Sequence, residues 1–239
     1  IMAAAGYPGA SYRTNGTVKP YRVRTGKNDE SDANMNYYES YEGREVIKVY
    51  EAEFSTKGRT KSINPFGGVA PDTMDVYFST LRKHLEASYS GVEKIKGIET
   101  AVYQFDGEKL TKADPFFKTH VDGMVAMTPV SGLPAYLSVP HMWYVPQKYL
   151  QRIEGMKQTS ADDYKSQLWI EETTGLALRG KRQLQLNVLL NFSAMNYSGI
   201  TPPANSDNWD IFIPLYYDVE FGEIHDDSAA SLKKAVVDS

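Results

Sequence analysis

Apolar and polar residues along this chain alternate more often than they recur at helical spacing. Between Arg182 and Leu190, Leu184, Leu186 and Val188 fall on one face and Gln185 and Asn187 on the other. That is the period-2 signature of a strand with two unlike faces. Lys165–Glu172 reads as its partner, with Thr174-Gly175 as the turn between them. Glu45–Phe54, Gly97–Phe105, Pro134–Pro140 and Asp210–Phe221 read as further strands. The prolines of the third argue for an edge or an end, because proline cannot donate to a sheet ladder. Two segments carry helical spacing instead. Met74, Phe78, Leu81 and Leu85 predict a helix over Asp72–Leu85. Asp226, Asp227 or Ser228 caps a shorter one, with Leu232 and Val236 on one side and Lys233 and Lys234 favourably placed near its C-terminus. Polar, Gly-rich or Pro-rich stretches at 6–20, 26–36 and 55–68 are loops. The sum is six to eight strands and two helices, a β-rich α+β chain.

Composition narrows the chemistry. The 239 residues carry a formal charge of −4 and no cysteine. That excludes disulfides, thiolate-bound zinc, iron–sulfur clusters and a thiol nucleophile. Mild acidity gives no electrostatic footprint for nucleic acid. The most apolar windows, Ile211–Tyr217 and Val188–Phe192, are strand-sized and far short of the ~20 residues of a membrane-spanning helix. Tyrosine dominates the aromatics, with 17 against 9 Phe and 3 Trp, and suits strands with one wet face.

Catalytic constellations are absent from the local motifs. His84, His120, His141 and His225 share no metal-ligand spacing. Neither a nucleophile elbow nor a phosphate-binding loop nor a dinucleotide fingerprint occurs. The carboxylate pairs Asp162-Asp163 and Glu171-Glu172 are adjacent, and neighbours on a strand point to opposite faces, so Glu171 and Glu172 cannot share a proton. Two basic clusters, Lys57, Arg59 and Lys61, and Arg179, Lys181 and Arg182, are candidate surfaces for anionic ligands. Asn15, Asn191 and Asn196 head Asn-x-Ser/Thr sequons and are candidate glycosylation sites.

Several strings resemble those of the class B scavenger receptor family. Gly132-Leu133-Pro134-Ala135-Tyr136-Leu137-Ser138-Val139-Pro140-His141 is similar to the family's Gly-x-Pro-Val-Tyr-x-Ser-x-Pro-His segment. Lys181-Arg182-Gln183-Leu184-Gln185-Leu186-Asn187 is close to its Lys-Arg-Leu-Gln-Val-Asn strand, and Ile170–Gly175 resembles its Ile-Glu-Pro-x-Thr-Gly hairpin. Arg24-Thr25-Gly26, Asn64-Pro65-Phe66, Gly97-Ile98 and Ile213-Pro214-Leu215 resemble further pieces in the family's order, so the resemblance runs over roughly residues 21–236. It departs from the family in lacking cysteines and in reading Ser-Thr-Lys-Gly-Arg-Thr-Lys-Ser-Ile at 55–63.

The resemblance implies an antiparallel, barrel-like, membrane-distal ectodomain of which this chain supplies about the C-terminal half. An arm or loop (1–20) would precede the β-rich body (21–224), and an amphipathic helix (225–239) would lead toward a transmembrane segment. It further implies a non-enzymatic, cofactor-free receptor for lipid or lipoprotein-type ligands on the extracellular or lumenal side of a membrane. Its partners would be that ligand and the missing N-terminal half, whether upstream or on a separate chain. By period-2 geometry Leu137, Val139, Leu184, Leu186 and Val188 project to a common side and are candidates to line a lipid tunnel. The alternative is a structural or adhesion subunit on the same scaffold.

Overall fold

In the computed structural model, strands dominate and pair mostly antiparallel. The structure describes residues 21–23, 37–41, 43–49, 52–55, 58–59, 70–78, 81, 83–107, 121–128, 134–157, 160, 164–191 and 210–236. Lys57, Lys61, Asn15, Asn196, His120, Asp162-Asp163 and the arm at 1–20 lie outside them, as do the side chains of Arg59 and Asn191.

The chain divides into two units, and strands β12 (Ala177–Asn191) and β13 (Asp210–Glu223) contribute residues to both. Unit 2 comprises 12–106, 165–182 and 219–239. Its strands are β1 (Tyr21–Val23), β2 (Tyr37–Tyr41), β5 (Gly58–Arg59), β6 (Thr73–Phe78), β7 (Lys83–Ile95), β8 (Ile98–Phe105) and β11 (Ser166–Ile170), hydrogen-bonded in that order and then to β12. A separate hairpin joins β3 (Val46–Val49) to β4 (Ala52–Ser55). Helix α2 (Asp226–Val236) completes the unit. The β7–β8 turn is Lys96-Gly97, with φ of 50° and 83°. Positive φ at both central residues matches the right-handed twist of the flanking strands. Ile95, Ile98, Val102, Trp169, Leu178 and Ala229 form a buried cluster beneath it.

Unit 1 comprises 1–11, 107–164 and 183–218. Here β10 (Ala135–Ser138) lies between β9 (Met124–Ala126) and β12. A 3-10 turn at Pro140–Met142 and the short helix α1 (Gln147–Leu150) follow β10. Phe212 of β13 is fully buried, edge-on to Tyr136 at 5.0 Å and to Tyr149 at 5.5 Å.

Two expectations need correction. Among the described residues of 72–85 there is no helix: Thr73–Phe78 is β6 and Lys83 begins β7, paired Phe78↔Lys83 to Thr73↔Ser88. Thr73 and Asp75 are exposed and Met74 and Val76 buried, a period of two that the helical spacing concealed, before Tyr77 and Phe78 are both buried at the strand's end. The aromatic and β-branched run Val76-Tyr77-Phe78 favours the strand. Residues 45–54 hold one strand and the start of its hairpin partner rather than a single strand. The prolines of 134–140 behave as expected: Pro134 and Pro140 lie beyond the two ends of β10, which is paired on both sides.

Candidate functional site

The Tyr136–His141 segment of unit 1 is locked to β12 through polar side chains. Leu137 stands opposite Leu186, and Ala135 opposite Val188. Leu137 therefore shares a face with Leu184, Leu186 and Val188, as alternation predicts. Leu137 is buried, and Val139 sits at the burial boundary beyond the strand's end; the three residues of β12 are half-buried. The opposite, polar face is the deeper one. Ser138 and Asn187 are fully buried and Gln185 is nearly so. Asn187 Nδ2 donates to Ser138 Oγ (3.0 Å) and to the Tyr136 carbonyl (3.2 Å), and Gln185 Nε2 donates to Asn187 Oδ1 (2.6 Å). Gln185 Oε1 in turn accepts the His141 backbone N–H (2.7 Å). Buried amides are tolerated because each finds a partner.

His141 is a fastening. Its backbone is left-handed (φ 56°), its ring stacks on Tyr164 at 5.2 Å, and Nδ1 lies 2.7 Å from the Lys157 carbonyl. Burial first, and then the Asp210 carboxylate, push the Tyr136 phenol above its ordinary value of 10.0.

Glu171 is likewise committed to the backbone. It lies just beyond β11, in the turn rather than on a strand. Its carboxylate accepts the Thr173 and Thr174 backbone N–H groups (2.8 and 2.7 Å) and the Thr174 hydroxyl (2.6 Å). Burial raises its pKa, but the hydrogen bonds from Thr174 and Thr173 outweigh it and hold the carboxyl below its ordinary 4.5. Those hydrogen bonds favour its charged form. Among the described residues, no group of three or more His, Asp or Glu side chains converges as metal ligands would.

Unit 2 contains an open groove of about 650 Å³. Phe78, Phe105, Leu168, Leu178 and Phe221 supply apolar wall. Arg179, Lys181 and Arg182 all line it, so the structure brings this predicted cluster together. Two of the three are engaged. Arg179 lies 5.2 Å over the Trp169 ring, 2.9 Å from Glu93 Oε1 and 2.7 Å from Glu223 Oε2. Trp169 Nε1 donates to the other Glu93 oxygen at 2.7 Å. Arg182 Nε stands 3.0 Å from Glu220. Lys181 forms no ion pair among the described residues. Sequence reasoning missed the apolar wall, which draws on five separate strands; the apolar run ending at Phe221 was its one local signal.

Beyond Phe212, β13 is exposed, and Ile213, Leu215, Tyr217, Val219 and Phe221 are between 39% and 60% accessible. Among the described residues, no helix is long and apolar enough to cross a membrane.

The fold and groove define a β-rich module with a ligand-sized apolar recess. The sequence model of the CD36 family matches residues 4–239, and the chain belongs to that family. It is 26% identical to lysosome membrane protein 2-A of Dictyostelium discoideum over 77% of this chain and 23% of that protein. It is 22% identical to sensory neuron membrane protein 2 of Ostrinia furnacalis, over 72% of this chain and 36% of the relative. The protein of the same name from Manduca sexta matches at 22% identity over 63% of this chain and 33% of its own length. The chain thus spans about a quarter to a third of the curated relatives it matches. Membership confirms the resemblance read from the sequence, and the relatives are named as membrane proteins.

Proposed function

We propose that this chain is part of a scavenger-receptor-like ectodomain that takes the apolar portion of a lipid or lipoprotein-type ligand in the unit 2 groove. The observation that carries the reading is the groove itself. Its volume of about 650 Å³ falls within the roughly 300–1,000 Å³ of small-ligand sites. An acyl chain gains about 0.8 kcal/mol for each methylene it buries, before entropic costs. Lys181, on the same wall, meets an anionic headgroup, while Arg179 and Arg182 stay with their carboxylates. No bond is made or broken in this reading, so the protein acts as a receptor rather than an enzyme. It works on the extracellular or lumenal side of a membrane, with the rest of the ectodomain as its partner.

Lipid extraction of the purified protein followed by mass spectrometry tests this. A near-stoichiometric fatty acid, sterol or phospholipid is expected, and it should be lost in Phe221→Asp, a change at a groove residue that is 60% exposed and so tolerable to the fold. Lipid-free protein that takes up no fatty acid would refute the reading. The second reading, a structural or adhesion subunit, is favoured by the exposed apolar side chains of β13. Ordered lipid-free oligomers in velocity sedimentation would select it.

A further inference from the structure

We infer that helix α2 is a strap held by an ionic latch at one end of the groove, and that its release opens that end. The inference deepens the reading above and rests on it, since it concerns the regulation of the same groove. It begins with how little holds the helix. α2 has 11 residues, and only Ala229 is buried, with Leu232 and Val236 half-buried. Helices shorter than about 12–15 residues are marginal in water by themselves, so undocking α2 amounts to melting it. Few buried apolar contacts place a segment at the low end of local stability.

The remaining attachment is electrostatic. Lys96 Nζ donates to Asp226 Oδ1, at the first turn of α2, and lies 3.7 Å from Glu223 Oε1. Lys96 sits in the tight two-residue turn between β7 and β8, a rigid mount for its ammonium. Lys233 Nζ approaches the same turn, 3.4 Å from where a Cβ on Gly97 would stand. The Lys96 side chain is 27% exposed and that of Asp226 82%, so salt reaches the pair.

The latch and the groove share residues. Glu223 takes both Lys96 and the groove-wall Arg179. Glu223, Ile224 and Ser228 all border the groove, and the Ile224 N–H bonds the Leu178 carbonyl at 2.7 Å. A ligand touching Ser228, which lies in the first turn of α2, makes that contact only while α2 is docked. Docking and ligand retention are therefore linked, and the linkage is reciprocal.

Hydrogen exchange on the whole chain is the test, comparing amides 229–236 with those of β8, in wild type and in Lys96→Gln. Exchange in α2 should quicken about threefold in the variant, the effect of losing an exposed ion pair. Raising salt from ~0.01 M to ~1 M, which shortens the screening length from ~30 to ~3 Å, should quicken wild type similarly and the variant little. β8 should not change. In parallel, the release of cis-parinaric acid, a fluorescent fatty acid, should quicken about threefold in Lys96→Gln, in keeping with the same pair's loss. Exchange in α2 that follows β8 under every condition, or probe release indifferent to Lys96→Gln, overturns the strap. If cis-parinaric acid does not bind wild type at all, the ligand reading of the groove fails, and the exchange data alone judge the latch.

Discussion

Removing the side-chain amide of Asn187 probes whether the Pro-His segment and β12 are a structural lock. In Asn187→Ala, Gln185 Nε2 loses its acceptor at 2.6 Å, and Ser138 Oγ and the Tyr136 carbonyl lose their donor at 3.0 and 3.2 Å. All three groups belong to buried residues, and Asn187 itself is fully buried, so bulk water does not replace the amide. A buried polar group left unsatisfied costs about 1–3 kcal/mol. Partial relaxation among three neighbours sets the expected loss at about 3 kcal/mol. Ser138→Ala removes a hydroxyl that also donates to the Val139 carbonyl, and leaves Asn187 its bond to Tyr136. It should cost about 1 kcal/mol. The two residues touch, so the double variant should fall short of the sum, with a coupling of about 0.5–3 kcal/mol. Urea unfolding followed by tryptophan fluorescence measures each corner of the cycle. A loss below about 0.5 kcal/mol for Asn187→Ala, or strict additivity with Ser138→Ala, would refute the lock.

Other predictions follow from the same geometry. Gly123 has φ of 77°, and a Cβ there would stand 2.5 Å from the Tyr144 carbonyl carbon, so Gly123→Ala should destabilise by at least about 2 kcal/mol in thermal unfolding. Phe212→Ala removes the ring between Tyr136 and Tyr149 and should cost about 3–5 kcal/mol, with Phe212→Leu losing visibly less in the same assay. Glu171 has a folded pKa below its ordinary 4.5, so its stabilisation is complete above that value and is lost as pH falls through the lower, folded one. Glu171→Gln should therefore be less stable than wild type near neutrality, by about 1–2 kcal/mol, and the gap should close on acidification. A gap independent of pH would refute that assignment.

The sheet was legible where one face of a strand differs from the other. The alternation of Leu184, Leu186 and Val188 with Gln185 and Asn187 identified β12, and Thr174-Gly175 marked the turn before it. The same alternation did not say which face lies deeper. Burying the polar face requires Ser138 and the Tyr136 carbonyl, some 50 positions earlier, to satisfy Asn187, and no local pattern records that pairing. Helical spacing of Met74, Phe78, Leu81 and Leu85 misled because apolar residues on a strand, a turn and the next strand can fall three and four apart by chance. The groove and its latch were illegible for a related reason. Phe78, Leu168 and Phe221 meet only through strand pairing, and Lys96 reaches Asp226 across 130 positions.

The residues that made the family recognisable are not those that meet the groove's apolar volume. Ser138 and His141 of one motif and Gln185 and Asn187 of the other bond to each other or to neighbouring backbone, and Glu171 of the hairpin motif bonds its own turn. Such residues have many simultaneous constraints on geometry, and substitution leaves buried polar groups unpaired. Groove residues such as Phe78, Leu168 and Phe221 face a weaker demand, because an apolar wall needs area and shape rather than a given side chain. The resemblance therefore reports a scaffold. In the proposed reading, ligand choice is set by the size of the apolar side chains lining unit 2 and by the charge of Lys181, the one groove residue of these that also belongs to a family motif. On this argument, exchanging Lys181 for Glu should shift headgroup preference from anionic toward cationic amphiphiles while leaving urea stability within about 0.5 kcal/mol, as for an ordinary surface substitution. Equal loss of both ligand types with intact folding would show that the headgroup is read elsewhere.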